Sequence, residues 1–189
     1  MKNKLCNERI IIFIDGSNLY HIIKNLVSDK KPNDFDFEEF AKYLAGERKL
    51  VRVYYYNVPL DRKKDEESYI KQQKFFDKIQ RIPNFSFILC RMQKKKINGK
   101  TTYEAKEDDI HLAVDMVKLA YNNAYDTAIL ASSDGDFVPA VQAVKEKGKN
   151  VENIGFENKF SYHLQQTCDR LTKLTRKEVE QFFNPSENL

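Results

Sequence analysis

Residues 10–14, Ile-Ile-Ile-Phe-Ile, form an unbroken β-branched and aromatic run. It is too short for a helix and suits a strand buried on both faces of a parallel sheet. The run ends at Asp15. Gly16, Ser17 and Asn18 then supply turn and helix-start chemistry before Leu19, Ile22, Ile23 and Leu26 recur at helical spacing. After Pro32, Asp34 or Asp36 can cap a second helix through Phe37, Phe40, Ala41 and Leu44, closed near Gly46. Residues 51–58 read as a strand ended by Pro59, with Tyr54-Tyr55-Tyr56 suited to a sheet. Residues 61–81 are charged, with Tyr69, Ile70, Phe75, Phe76 and Ile79 near helical period, and predict a long surface helix that Pro83 ends.

Residues 85–92 predict a third strand, and Asn98-Gly99 predicts a two-residue hairpin turn. Residues 107–121 predict a helix with Ile110, Ala113, Val114, Val117 and Ala120 on one side. A short apolar strand over 127–131 runs into Ser132-Ser133-Asp134-Gly135-Asp136, and a helix follows over 137–147, with Pro139 in its first turn and Gly148 at its end. Residues 150–156 predict a fifth strand, and 161–183 one or two helices with Leu164, Cys168 and Leu171 on a common side. This alternation predicts right-handed βαβ crossovers in a three-layer α/β/α fold, with a mainly parallel sheet of about five strands plus the hairpin. Ligands in such sheets sit beyond the carboxyl ends of the strands, where strand order reverses. The polar elbows after residues 14 and 131 are therefore the places to search.

Composition narrows the picture. A chain of 189 residues with 41% hydrophobic content fits one ordinary domain. A net charge of +4 is too small to announce a nucleic-acid binder, so local placement must decide. Cys6, Cys90 and Cys168 are scattered, which argues against a disulfide framework or zinc site and favours a reducing cytoplasm. Neither a secretory signal nor a membrane span is expected.

Asp15 and Asp134 follow apolar strands, Asp136 is close behind, and Asp108 and Asp109 open a helix, so distant segments can converge on one acidic cleft. Singly, such residues read as caps or turns. Asp136 fits that reading, whereas Asp15 and Asp134 stand where capping does not require a carboxylate. Hard oxygen ligands without convergent histidine or cysteine favour Mg²⁺ or Mn²⁺, and that combination suits phosphoryl chemistry. Lys94, Lys95, Lys96 and Lys100 lie on the expected hairpin, with Arg91 at its base and Lys106 beyond it, which would put cations beside a scissile phosphate. A second cluster, Arg62-Lys63-Lys64, follows the tyrosines, which could stack exposed bases if they face the cleft. His21, His111 and His163 lack the spacing for a metal site or catalytic dyad.

Three segments, Ile12-Phe13-Ile14-Asp15-Gly16-Ser17-Asn18-Leu19-Tyr20, residues 106–116, and Ala131-Ser132-Ser133-Asp134-Gly135-Asp136-Phe137-Val138, closely resemble the NYN domain, in particular its LabA-like branch, within the PIN-like nuclease fold. The resemblance covers residues 10–174, leaving a C-terminal helix and tail over 175–189. It implies a metal-dependent ribonuclease with acidic ligands above a parallel sheet, and the expected partner is single-stranded RNA. Asp15 resembles the first metal-binding acid, and Asn18 the polar residue that accompanies it. Lys106 precedes the middle acid, for which Asp109 is the better match and Asp108 an alternative. Asp134 and Asp136 fall on the Asp-Gly-Asp-Phe element. Ser132 and Ser133 are candidates to hydrogen-bond phosphate or ligand, and Asp115, pointing away from Asp109, is expected either to support a ligand from behind or to support the helix. A regulatory module that binds RNA, nucleotide or a protein without efficient cutting is the alternative, and homo-oligomerisation is left open.

Overall fold

The structure of the protein is a computed structural model that describes residues 7–97, 100–105, 107–157 and 159–183, with backbone only over 92–105. Strand β1 (Arg9–Asp15) is followed by helices α1 (Gly16–Leu26) and α2 (Phe37–Ala45), strand β2 (Lys49–Asn57), α3 (Glu66–Arg81) and β3 (Phe85–Leu89). Then come β4 (Met92–Ile97), β5 (Lys100–Ala105), α4 (Asp108–Tyr121), β6 (Thr127–Ala131), α5 (Val138–Glu146), β7 (Asn150–Phe156), α6 (Tyr162–Thr167), β8 (Arg170–Leu174) and α7 (Arg176–Glu180).

Six strands form one sheet in the order β3-β2-β1-β6-β7-β8, and every neighbouring pair is parallel. From β1 the chain moves outward through β2 to β3. It then crosses back by way of α4 and moves outward on the other side through β6, β7 and β8. Strand order thus reverses between β1 and β6, and the carboxyl ends of these two strands flank the crevice that such a reversal opens.

Period-two alternation divides the apolar run of β1 between two cores. Ile10, Ile12 and Ile14 pack with α1, α2, α3 and α7 on one face. Ile11 and Phe13 pack with Leu112 and Met116 of α4, Val141 and Val144 of α5 and Leu164 of α6 on the other. Helices lie on opposite faces for the two outward directions, which gives both sets of crossovers the same hand. Among the described residues no helix is long and apolar enough to cross a membrane.

Several expectations are corrected. The sheet has six strands rather than five, because β8 occupies residues expected to be helical. In Arg-Leu-Thr-Lys-Leu the two leucines stand three apart, a helix-compatible spacing, yet the segment pairs in parallel with β7 from Glu152↔Arg170 to Phe156↔Leu174. Tertiary pairing overrides the local pattern. On α4 the sheet-facing stripe is Leu112, Met116 and Ala120, while Ile110 and Val114 are 64% and 56% exposed. That helix carries two apolar stripes; of the expected side Ala120 is buried and Ala113 and Val117 pack partly on the core, while Ile110 and Val114 face outward. The tyrosine run is not a base platform either: Tyr55 and Tyr56 are buried in opposite cores, and Tyr54 stacks on Phe13 at 5.6 Å.

Strands β4 and β5 pair antiparallel as a separate two-stranded sheet, from Met92↔Ala105 to Ile97↔Lys100. The expected turn at Asn98-Gly99 lies outside the described residues, as do Lys106 and the side chains of Lys94, Lys95, Lys96 and Lys100.

Candidate functional site

Asp15 closes β1 and caps α1. Its Oδ1 accepts the backbone N–H of Asn18 at 3.0 Å. Its Oδ2 accepts the hydroxyl of Ser132 at 3.0 Å, from the carboxyl end of β6. At the first residue of α1 only glycine fits, since a Cβ on Gly16 would lie 2.5 Å from the ring of Tyr55. The loop after β6 is held on three sides. Ser132 Oγ also accepts the N–H of Asp134 at 3.1 Å, and Ser133 N–H donates to Asn18 Oδ1 at 3.1 Å. The Asn153 amide donates from β7 to the carbonyls of Leu130 and Ser132 at 3.0 and 2.9 Å. Asp134 in turn accepts the N–H of Asp136 at 2.9 Å and starts the short turn Gly135–Phe137.

The first turn of α4 brings Asp108 and Asp109 to Asp15. One carboxylate oxygen from each of the three lies within 4.8 Å of the others, and among the described residues no histidine or cysteine joins the group. Asp108 is buried and accepts the hydroxyl of Ser17 at 3.2 Å. At 4.8 Å two ionised carboxylates would repel by roughly 3 kcal/mol at an effective dielectric near 20. Burial raises the pKa of Asp15 to about 7, the Asn18 N–H opposes the rise, and repulsion from Asp109 and Asp108 adds to it. Burial likewise raises Asp109 to about 6, followed by repulsion from Asp108, Asp134 and Asp136. The five acids therefore share one field, with Asp134 half-buried and Asp136 exposed at the mouth.

A helix N-terminus accounts for part of this arrangement, since its unpaired N–H groups favour carboxylates. It does not account for sinking Asp15 to 4% exposure among like charges. An asparagine or serine would cap α1 without that penalty.

Not every candidate falls where the sequence suggests. Asp15 is a cap as well as a member of the three-carboxylate group, whereas Asp134 and Asp136 lie outside that group and act on Asp109 only through their charge. Asp134 caps the short turn, and Asp136 supplies the N–H that Asp134 receives. The side chain of Asn18 holds the backbone of Ser133, so its contact with Asp15 is through its own N–H. Asp115 stands apart from the cluster, accepting the Tyr56 hydroxyl at 3.0 Å and pairing with Lys118. Arg91 is exposed, and its backbone N–H donates to Glu107 at 3.3 Å.

Sequence reasoning passed over Ser17, Asn57 and Asn153 as parts of the site. Asn57 ends β2 beside β1, where Asp15 pairs with Tyr56, so its place at a strand's carboxyl end was a usable signal. An amide at the buried centre of β7, between Val151 and Ile154, was another.

Residues 9–175 match the NYN domain family. The chain belongs to that family. This NYN domain, of the PIN-like nuclease group, is 25% identical over 185 residues to the low amplitude and bright protein LabA of Synechococcus elongatus, covering 95% of this chain and 90% of LabA. It is homologous to LabA over most of its length. A 70-residue stretch is 40% identical to the uncharacterised protein MJ0482 of Methanocaldococcus jannaschii, covering 37% of this chain and 29% of that protein. The chain thus spans under a third of that relative. The fold matches the crystal structure of a Vibrio parahaemolyticus protein of unknown function, VPA0982, with a TM-score of 0.63 at 20% identity, covering 92% of this chain and 96% of the other.

Proposed function

We propose that this NYN domain hydrolyses phosphodiester bonds of single-stranded RNA at a divalent-cation site centred on Asp15, Asp108 and Asp109. The observation that carries the reading is the carboxylate triad, two of its members buried and Asp109 half-buried, with oxygens within 4.8 Å of one another, where strand order reverses. The donor set fits Mg²⁺ or Mn²⁺: all its atoms are hard oxygens, and two ligands on one Mg²⁺ stand at most about 4.2 Å apart, so shifts of about half an ångström would seat an ion. When bound, the cation neutralises the triad, orients the scissile phosphate and lowers the pKa of an attacking water.

The residues around it have separable tasks. The Asn18 N–H and the Ser132 hydroxyl fix both oxygens of Asp15 before any ligand arrives, and Ser17 fixes Asp108. Asp134 and Asp136 at the mouth act as water-bridged ligands and as acceptors for the proton released by the attacking water. Lys94, Lys95, Lys96, Lys100, Lys106 and Arg91 supply phosphate contacts, which an acidic site needs against a polyanion. No side-chain nucleophile is required.

The test is incubation of end-labelled single-stranded RNA and DNA with the purified chain in Mn²⁺, in Mg²⁺ and in EDTA. Metal-dependent RNA cleavage lost in both Asp15→Asn and Asp134→Asn is the expected result. Cleavage that survives both substitutions, or no cleavage of any polymer by the wild type, overturns the reading.

A further inference from the structure

Next to the carboxylate triad lies a cleft of about 440 Å³, walled by α1, the segment after β2 and the first turns of α3. Its volume falls in the usual range of small-ligand sites. Phe75 and Phe76, both buried, form part of an apolar lining, while Tyr20, His21 and Asn57 line the cleft with rings and an amide. The wall after β2 is set in advance, because Gln72 accepts the Leu60 N–H at 2.7 Å and donates to the Val58 carbonyl at 3.0 Å.

Two features identify the occupant. The cleft is continuous with the acidic site: Ser17 lines it, and the Ser17 hydroxyl stands 3.2 Å from Asp108 and 3.4 Å from Asn57. A ligand held here has its near end at the triad. The lining also holds hydrogen-bonding capacity that the fold does not use. Tyr20 and His21 meet edge to face at 5.6 Å, and among the described residues neither side chain makes a hydrogen bond. The buried Asn57 amide nitrogen donates one long bond, 3.4 Å to the Tyr55 hydroxyl, which leaves its second N–H without an acceptor among the described residues. Apolar walls with exposed aromatic rings and a free amide donor fit a flat heterocycle with polar edges, which is how unpaired RNA bases are held.

We infer that this cleft seats the base of one nucleotide of the bound strand, with the adjoining phosphate at the carboxylate triad. This rests on the nuclease reading of the triad. Tyr20 and His21 hold the ring, and Asn57 donates to a base carbonyl or ring nitrogen.

Titration calorimetry of the full chain in Mn²⁺ with UMP, AMP and inorganic phosphate tests it. At least one nucleotide is expected to bind about tenfold or more tightly than phosphate, the scale of one stacked base. Tyr20→Ala and His21→Ala should each erode that preference. Ser68→Trp, which fills the cleft from α3, should abolish it while phosphate affinity stays the same. Equal affinity for nucleotide and phosphate, or a preference untouched by Ser68→Trp and Tyr20→Ala, overturns the inference. RNA cleavage by a wild type without nucleotide preference would remove the base site and leave the nuclease reading standing. Nucleotide preference without cleavage of any RNA would do the reverse.

Discussion

Asp15 carries opposed duties. Its carboxylate caps α1 and receives Ser132, both favourable, yet burial and two neighbouring acids hold its pKa near 7. In the unfolded chain the same group titrates near 4. Between about 4 and about 7 the folded state keeps a proton that the unfolded state has released. This contribution to stability is therefore complete below pH 4 and is lost as pH rises through 7. At about 1.4 kcal/mol per pH unit the loss from Asp15 is at most about 4 kcal/mol. Asp109, raised to about 6, acts in the same direction. Thermal melts in EDTA should show falling stability from pH 4 to 7, whereas stabilisation by Mn²⁺ should grow from pH 5 to 8, because ligands must lose their protons to bind. A pH-independent Mn²⁺ effect would contradict this. Asp15→Asn keeps the cap oxygen and removes the buried charge. At pH 8 in EDTA it should raise stability by about 2 kcal/mol, and it should abolish the Mn²⁺-induced shift in Tm.

At the scale of elements, the site depends on how β1, β6 and α4 are pinned together. The α1–β2 contact leaves no room for a side chain at Gly16, because the buried Tyr55 ring cannot swing away. Gly16→Ala should cost about 1–3 kcal/mol in a denaturant titration and displace Asp15. Asn153 ties two carbonyls at the end of β6, so Asn153→Ala should cost about 2–3 kcal/mol and loosen the Ser132–Asp134 loop. Backbone amide exchange at Ser133 and Asp134 should then speed up by an order of magnitude or more. Strand β1, α1 and β6 were legible in the sequence because their apolar periods and their end signals agree. Strand β8 was not, since its parallel pairing with β7 is a long-range fact that five residues cannot encode locally. The core stripe of α4 is legible only in part for a related reason: the helix has two apolar faces, and the sheet takes Leu112, Met116 and Ala120 while leaving Ile110 and Val114 outside.

On the scale of the whole molecule, the reversal of strand order does the assembling. It sets the ends of β1 and β6 side by side and leaves α4 to cross back over them, so acids about 90–120 positions apart in sequence converge at one crevice. The sequence could nominate Asp15, Asp134 and the Asp108-Asp109 pair from their places at element ends. It could not say which of the pair faces Asp15, because neighbouring residues at a helix start are separated only by the angle at which the helix docks. In the fold both reach it. The cleft beside Ser17 was hidden for the same reason, being built from α1, β2 and α3 together.

The most direct measurement is the rate of single-stranded RNA cleavage as Mn²⁺ is raised from zero, in wild type, Asp15→Asn, Asp108→Asn, Asp109→Asn and Asp115→Asn. The expected result is a saturable wild-type rate, losses of about a hundredfold or more when any of the three triad acids is changed, equivalent to at least about 2.7 kcal/mol of barrier, and activity within a few-fold of wild type for Asp115→Asn. Cleavage that persists in EDTA, or an Asp15→Asn protein that cleaves at the wild-type rate, would contradict the metal-dependent site.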